Sequence, residues 1–195
     1  MSVETIKYLT PNEISKFISK IDSLRDKTLF SLMYFYGLRC TEASDLNLDD
    51  IRLSDGRIYI RAAKNGISGE YVLTKEVKKI LQKYLPERNS IEKLSKTLFI
   101  SRKGGKLSTT QIRRLYYKYA TKAKLGEEKS HPHCLRHSIA VHMADSGVPV
   151  EHVQIHLRHR KIDSTMVYFQ ITSKRRHEIQ TQALGGEFVA KNLPI

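Results

Sequence analysis

Between residues 131 and 138 the chain reads His-Pro-His-Cys-Leu-Arg-His-Ser, three imidazoles and a guanidinium directly before an apolar stretch. His133 and Arg136 stand three apart, on adjacent turns of a helix, so both can reach one phosphate. Arg136 would bind it as a bidentate fork, and His133 as a hydrogen-bond donor or proton carrier. Metal ligation is the competing chemistry. His133 and His137 have i, i+4 spacing, Cys134 adds a thiol, and His152, His156 and His159 share a helical face, a set that could hold zinc. Against zinc, there is no Cys-x-x-Cys, no His-Glu-x-x-His and no carboxylate ligand beside them, so no metal ligand is assigned.

The charge balance also points to an anion. Lys and Arg number 34 against 20 Asp and Glu, a net charge of +14 and a pI near 9.8. Such an excess attracts nucleic acid, an acidic protein or an anionic membrane surface. Its densest part is residues 101–125, which hold no acid and eight positive charges. Within it Arg102, Lys103, Lys106, Arg113, Arg114 and Lys118 are expected to track a phosphate backbone. Cys40 and Cys134 lie far apart, and the chain opens without a basic n-region and apolar h-region, so a reducing cytoplasm is the expected compartment. The longest apolar run, Thr28 to Tyr36, is far short of the roughly 20 residues that span a bilayer, so no membrane partner is expected.

Positioning these residues falls to a chain of 195 residues, 40% hydrophobic and 28% charged, enough for one globular domain with a tail. Thr10, Pro11 and Glu13 form a capping box that starts a helix carrying Ile14, Phe17, Ile18 and Ile21. A second helix runs from Leu24 to Tyr36 and ends at Gly37. A short third helix covers Thr41 to Leu46. Arg57 to Lys64 and Glu70 to Thr74 read as two strands, turned at Asn65-Gly66 and Gly69. Thr74 caps a helix ended by Pro86, Leu98 to Ile100 reads as a short strand, and Ser108 opens a helix through Ala123. Further helices are expected at Leu135 to Ser146, Val150 to His156 and Ser164 to Phe169.

Four separated pieces, in order, carry a resemblance: Gly37-Leu38-Arg39-Cys-Thr-Glu42, the hairpin lysine Lys64, His133-x-x-Arg136, and Leu157-Arg158-His159 followed nine residues later by Tyr168. Each is weak alone, but the ordered set resembles the tyrosine recombinase (phage integrase) family, over essentially the whole chain. The resemblance implies a mostly helical α+β catalytic domain with a small antiparallel sheet. It implies that residues 1–172 form that domain and that residues 173–195 form a tail docking in trans through Phe188 and Val189, with docking within the same chain as the alternative. The family's amino-terminal core-binding domain would then be absent. That would fit either a minimal recombinase, such as the invertases of fimbrial switches, or the catalytic part of a longer integrase.

The implied chemistry is cleavage and rejoining of double-stranded DNA through a 3′-phosphotyrosyl intermediate. Tyr168 would be the nucleophile, because a phenol can form a phosphodiester that a later hydroxyl reverses. Arg39 and Arg136 would clamp the charge of the pentacoordinate transition state. Lys64 would protonate the leaving 5′ oxygen, His133 would assist proton transfer, His159 would donate to a phosphate oxygen, and Glu42 would orient Arg39 or His133. His137 is left outside this set as a local packing or hydrogen-bonding residue. No cofactor and no small-molecule substrate is implied, and self-association into a synaptic tetramer on DNA is. Two departures stand out: Arg158 replaces the usual glycine, where it would touch DNA or alter the turn, and Ser164-Thr165 replaces Thr-Thr. Type IB topoisomerase-like relaxation and a non-catalytic DNA-binding regulator of the same fold are the alternatives.

Overall fold

The computed structural model describes residues 6–63, 66–91 and 95–173. In chain order these form α1 (Pro11–Ser19), α2 (Leu24–Phe35), α3 (Cys40–Ser44), β1 (Ile51–Arg52), β2 (Arg57–Ile60), β3 (Gly69–Val72), α4 (Lys75–Asn89), α5 (Thr109–Lys122), α6 (His133–Asp145) and α7 (Val150–Leu157). An eighth helix, α8, covers residues 163–173. The sheet is antiparallel in the order β1-β2-β3, with Ile58 opposite Ile51 on one side and Tyr71 on the other. The expected mostly helical α+β domain with a small antiparallel sheet is what the chain forms.

Local chemistry starts the helices where the sequence places them. The Glu13 backbone N–H donates to the Thr10 hydroxyl at 3.3 Å and the Thr10 N–H donates to the Glu13 carboxylate at 2.8 Å, a reciprocal cap. Ser108 and Gln111 repeat the device at α5. Three expectations shift. Pro86 does not end α4, which continues to Asn89; the turn after it is tied down because the buried Arg88 guanidinium donates to the Ser95 and Thr97 carbonyls. Leu98 to Ile100 is no strand but a buried segment between two isolated bridges, Asn47 with Thr97 and Ile100 with Lys106. The first strand, β1, is too short to show an alternating pattern and is found only in the fold.

Two apolar clusters result. The larger centres on α2, where Leu29, Phe30, Leu32 and Met33 are fully buried among Phe17, Tyr116 and Tyr119. The smaller gathers Ala140, Val141, Val153, Leu157 and Tyr168 from the last three helices. α2 packs against both α4 and α6, so it braces one cluster on the other.

Gly37 sits at the seam between them. It closes α2 with φ +55°, and a Cβ there would come within 2.7 Å of Leu157 Cδ2 and 3.3 Å of Ile139 Cγ2. Left-handed backbone strain and a steric clash therefore add. Gly37→Ala is expected to destabilise the fold by about 2 kcal/mol or more, read as a lower urea midpoint; an unchanged midpoint would show that the turn tolerates a side chain. Among the described residues no helix is long and apolar enough to cross a membrane.

Candidate active site

The end of α2 delivers the chain to Arg39, the residue just before α3. One turn on, Glu42 is buried, and its carboxylate is the point on which the surrounding cations converge. It accepts from the Arg39 backbone N–H at 2.8 Å, from Arg39 Nη1 at 2.9 Å and from Arg158 Nη2 at 2.9 Å, and Arg136 Nη1 lies 3.7 Å away. The Ala63 N–H, at the end of the β2 arm, donates to the same carboxylate at 3.2 Å. Burial pushes the Glu42 carboxyl up, but the charge of Arg158, the Arg39 N–H and the charge of Arg136 pull it further the other way, to about 2.

Arg136, on the first turn of α6, is 3% exposed and donates to the Gly37 and Leu157 carbonyls. Burial and repulsion by Arg39 lower it to about 9, so it stays cationic at neutral pH. Those two carbonyls come from the end of α2 and the end of α7, which locks the guanidinium between both clusters.

Tyr168, on α8, is 3% exposed, and its hydroxyl lies 2.9 Å from His137 Nδ1. Burial raises the phenol, and the charges of Arg136 and Arg39 oppose the rise. Burial also lowers His137 to about 4 and His159 to about 3, so both rings are neutral at pH 7. His159 Nδ1 is 2.9 Å from the buried Thr165 hydroxyl. His133 is an exposed residue whose ring lies 6.1 Å from the His137 ring, and partial desolvation by the surrounding protein, followed by repulsion from Arg136, lowers its pKa. An open cleft beside it is lined by Cys40, Arg113, Arg114, Tyr117, His131, His133 and His137.

The structure thus gathers Arg39, Glu42, Arg136, His133, His159 and Tyr168 within one electrostatic neighbourhood. Lys64 lies outside the described residues, as do residues 174–195, which include Phe188 and Val189. His137 was not expected in the site. It stands one residue beyond Arg136, and its partner Tyr168 is 31 residues away, so only its i, i+4 relation to His133 hinted at a shared face. Arg158 is the clear correction. In place of the exposed DNA contact expected, its side chain is wholly buried against Glu42, while its left-handed backbone (φ +58°) at the end of α7 fits the altered turn that was the other expectation.

The basic stretch is exposed but divided. Arg113 faces the cleft beside His133, whereas Arg102, Lys103 and Lys118 line a second hollow that also holds Asp22, Asp26 and Glu87, with Arg114 bordering both. Lys106 is paired with Asp45 at 2.5 Å. Among the described residues no group of three or more His, Cys, Asp or Glu is arranged to hold a metal ion.

Comparison with known proteins places this site in a family. Residues 7–175 match the Phage integrase family. The chain is similar to the tyrosine recombinase XerA of Pyrococcus horikoshii, 32% identical over 88% of this chain and 59% of the relative. It is also similar to the type 1 fimbriae regulatory protein FimE of Escherichia coli, 32% identical over 83% of this chain and 84% of that protein. The tyrosine recombinase XerC of Chlamydia trachomatis, again 32% identical, is matched over 52% of its length, so the chain spans little more than half of these Xer relatives. A crystal structure of XerA recombinase superposes with a TM-score of 0.79 at 25% identity, covering 90% of this chain and 62% of that one. The XerH site-specific recombinase, solved on its palindromic difH substrate as a post-cleavage complex, shares the fold with a TM-score of 0.77 at 24% identity over 90% of this chain and 53% of that one. With the family matched over residues 7–175, the chain belongs to the phage integrase family.

Proposed function

We propose that this chain is a site-specific recombinase or integrase that cleaves and rejoins double-stranded DNA through a 3′-phosphotyrosyl intermediate. The observation that carries the reading is the buried Tyr168 hydroxyl within electrostatic reach of two guanidiniums, Arg39 and Arg136, that share one carboxylate. In the reaction Tyr168 Oη bonds to phosphorus as the bond from phosphorus to the 5′ oxygen breaks. Arg39 and Arg136 stabilise the charge that develops on the non-bridging oxygens. His133 assists removal of the phenol proton, and Lys64 supplies a proton to the departing 5′ oxygen.

The neutral state of His159 suits a donor. In the tautomer in which the Thr165 hydroxyl donates to Nδ1, the ring proton sits on Nε2 and is available to a phosphate oxygen. His137 joins the set as the group that holds the Tyr168 hydroxyl before attack. Exposed Arg113, beside His133, is the DNA contact best supported by position; Arg102, Lys103, Arg114 and Lys118 follow the backbone further out. Residues 1–172 would be the catalytic domain, 173–195 the tail that docks on a neighbouring protomer of a synaptic tetramer, and the cytoplasm the place of work.

The test is a nicked duplex whose short 5′-hydroxyl fragment diffuses away after cleavage and so traps the covalent intermediate. A covalent adduct on denaturing gels is expected, and its absence with the chain's own site would remove the enzymatic reading in favour of a non-catalytic regulator. Arg136→Ala should slow adduct formation on the order of 10² to 10³ while duplex binding persists. Duplex affinity should fall by roughly 0.9 log units per log unit of salt for each phosphate contact, and a flat salt response would count against a basic DNA face.

A further inference from the structure

We propose that Arg158 is a positioning residue for strand cleavage: from the end of α7 it fixes Glu42, and through Glu42 and the Gly37 carbonyl it sets the places of Arg39, Arg136 and the arm of the β2–β3 hairpin. The inference rests on the strand-cleavage reading above.

Arg158 is built into the centre of the site. Its side chain is 0% exposed. Nη2 donates to Glu42 Oε2 at 2.9 Å, to the Tyr36 carbonyl at 3.0 Å and to the Gly37 carbonyl at 3.1 Å, while Nη1 donates to the His156 carbonyl at 2.9 Å. The guanidinium also lies 5.5 Å from the Tyr71 ring centre. Only Nε has no partner among the described residues. A non-glycine residue with φ +58°, carrying a buried charge, persists only where its surroundings hold it there.

The connections show what depends on it. Arg39 reaches Glu42 through Oε1 and Arg158 reaches it through Oε2, so the carboxylate is gripped from two sides and cannot rotate. Arg136 and Arg158 share the Gly37 carbonyl. The hairpin arm docks by the Ala63 N–H on Glu42 Oε1, and a side chain at Gly66 would meet the Arg158 carbonyl at 3.1 Å. A glycine at 158 would suit the backbone, yet it would leave Glu42 buried without its most deeply buried cation and release all three neighbours. Lysine cannot replace it, because a single ammonium cannot span the Tyr36, Gly37 and His156 carbonyls and the carboxylate together.

The test compares the parent, Arg158→Gly, Glu42→Gln and the double variant Arg158→Gly/Glu42→Gln. Three quantities are measured for each: the single-turnover rate of adduct formation at saturating protein, the Kd for intact duplex, and Tm. Misplacing a reacting group by about 1 Å costs on the order of 10²-fold, so Arg158→Gly should lose about that in rate, with Kd changed by less than about threefold. The double variant removes both charges of the Arg158–Glu42 pair together and provides the reading if the single variant fails to fold. Its rate loss should equal that of Glu42→Gln instead of exceeding it, because the two residues act as a unit. A folded Arg158→Gly cleaving at the parental rate, a loss confined to Kd, or losses that multiply in the double variant would overturn the proposal. A parent without any adduct overturns the cleavage reading instead, and this inference falls with it.

Discussion

Tyr168→Phe is expected to abolish covalent capture of a nicked duplex completely while the protein stays folded. Phenylalanine keeps the ring that packs with Ala140, Val141, Val153 and Leu157, so the smaller apolar cluster is preserved. What is lost is one hydroxyl and its 2.9 Å bond to His137, a change of about 1 kcal/mol in stability. The separation of effects is the point of the variant: a near-parental unfolding curve and intact duplex binding, with no adduct at any enzyme concentration or time. The hydroxyl is buried in the free protein, so it must leave His137 to reach a phosphate, and adduct formation by the parent should include a conformational step before chemistry. Residual adduct in Tyr168→Phe would assign the nucleophile elsewhere.

Glu42→Ala should have the largest effect on the fold itself. It removes the carboxylate on which Arg39, Arg158 and Arg136 converge and leaves Arg158 buried without a counter-charge, at a cost of about 3 to 5 kcal/mol. The parent's response to acid carries the same information. Glu42 is held at about 2 in the folded chain against an ordinary 4.5, so its contribution is present above pH 4.5 and is lost as pH falls from there through about 2. The shift corresponds to about 3 kcal/mol. His137 and His159, lowered from 6.5 to about 4 and about 3, act earlier, since below pH 6.5 the unfolded chain takes up protons that the folded chain refuses. Urea unfolding between pH 7 and pH 3 should therefore show stability falling in two stages. In Glu42→Gln the added steepness below pH 4.5 should be lost, while the decline due to the histidines remains.

Local chemistry explains which parts of this structure were legible in the sequence. Thr10 with Glu13, Ser108 with Gln111 and the glycine at 37 act over a few residues, and each started or ended a helix where its pattern stood. Arg39, Glu42, His133, Arg136, His159 and Tyr168 were named as a set through the family resemblance of the ordered motifs, and the fold brings them into one neighbourhood. Partnerships over long separations left no such mark. Arg158 reads as an exposed basic residue because nothing near it announces Glu42, 116 positions earlier. His137 reads as local for the same reason. The run from Arg102 to Lys124 is continuous in sequence but not in space: along α5, Arg113 turns toward His133 while Lys118, five residues on, joins Asp22 and Glu87 on another face. Pro86 misled in the opposite sense, since a proline removes one donor without forbidding a further turn when Arg88 anchors the segment from Ser95 to Thr97.

In the proposed reaction Tyr168 becomes joined to the 3′ end of a cut strand. Its most direct test is proteolysis of the trapped adduct, with mass spectrometry of the peptide that carries nucleotide. Expected is a peptide containing Tyr168, linked through its phenolic oxygen to a 3′-phosphate, with a free 5′-hydroxyl on the released fragment. Linkage at any other residue, or a 5′-phosphate on the protein, would contradict it.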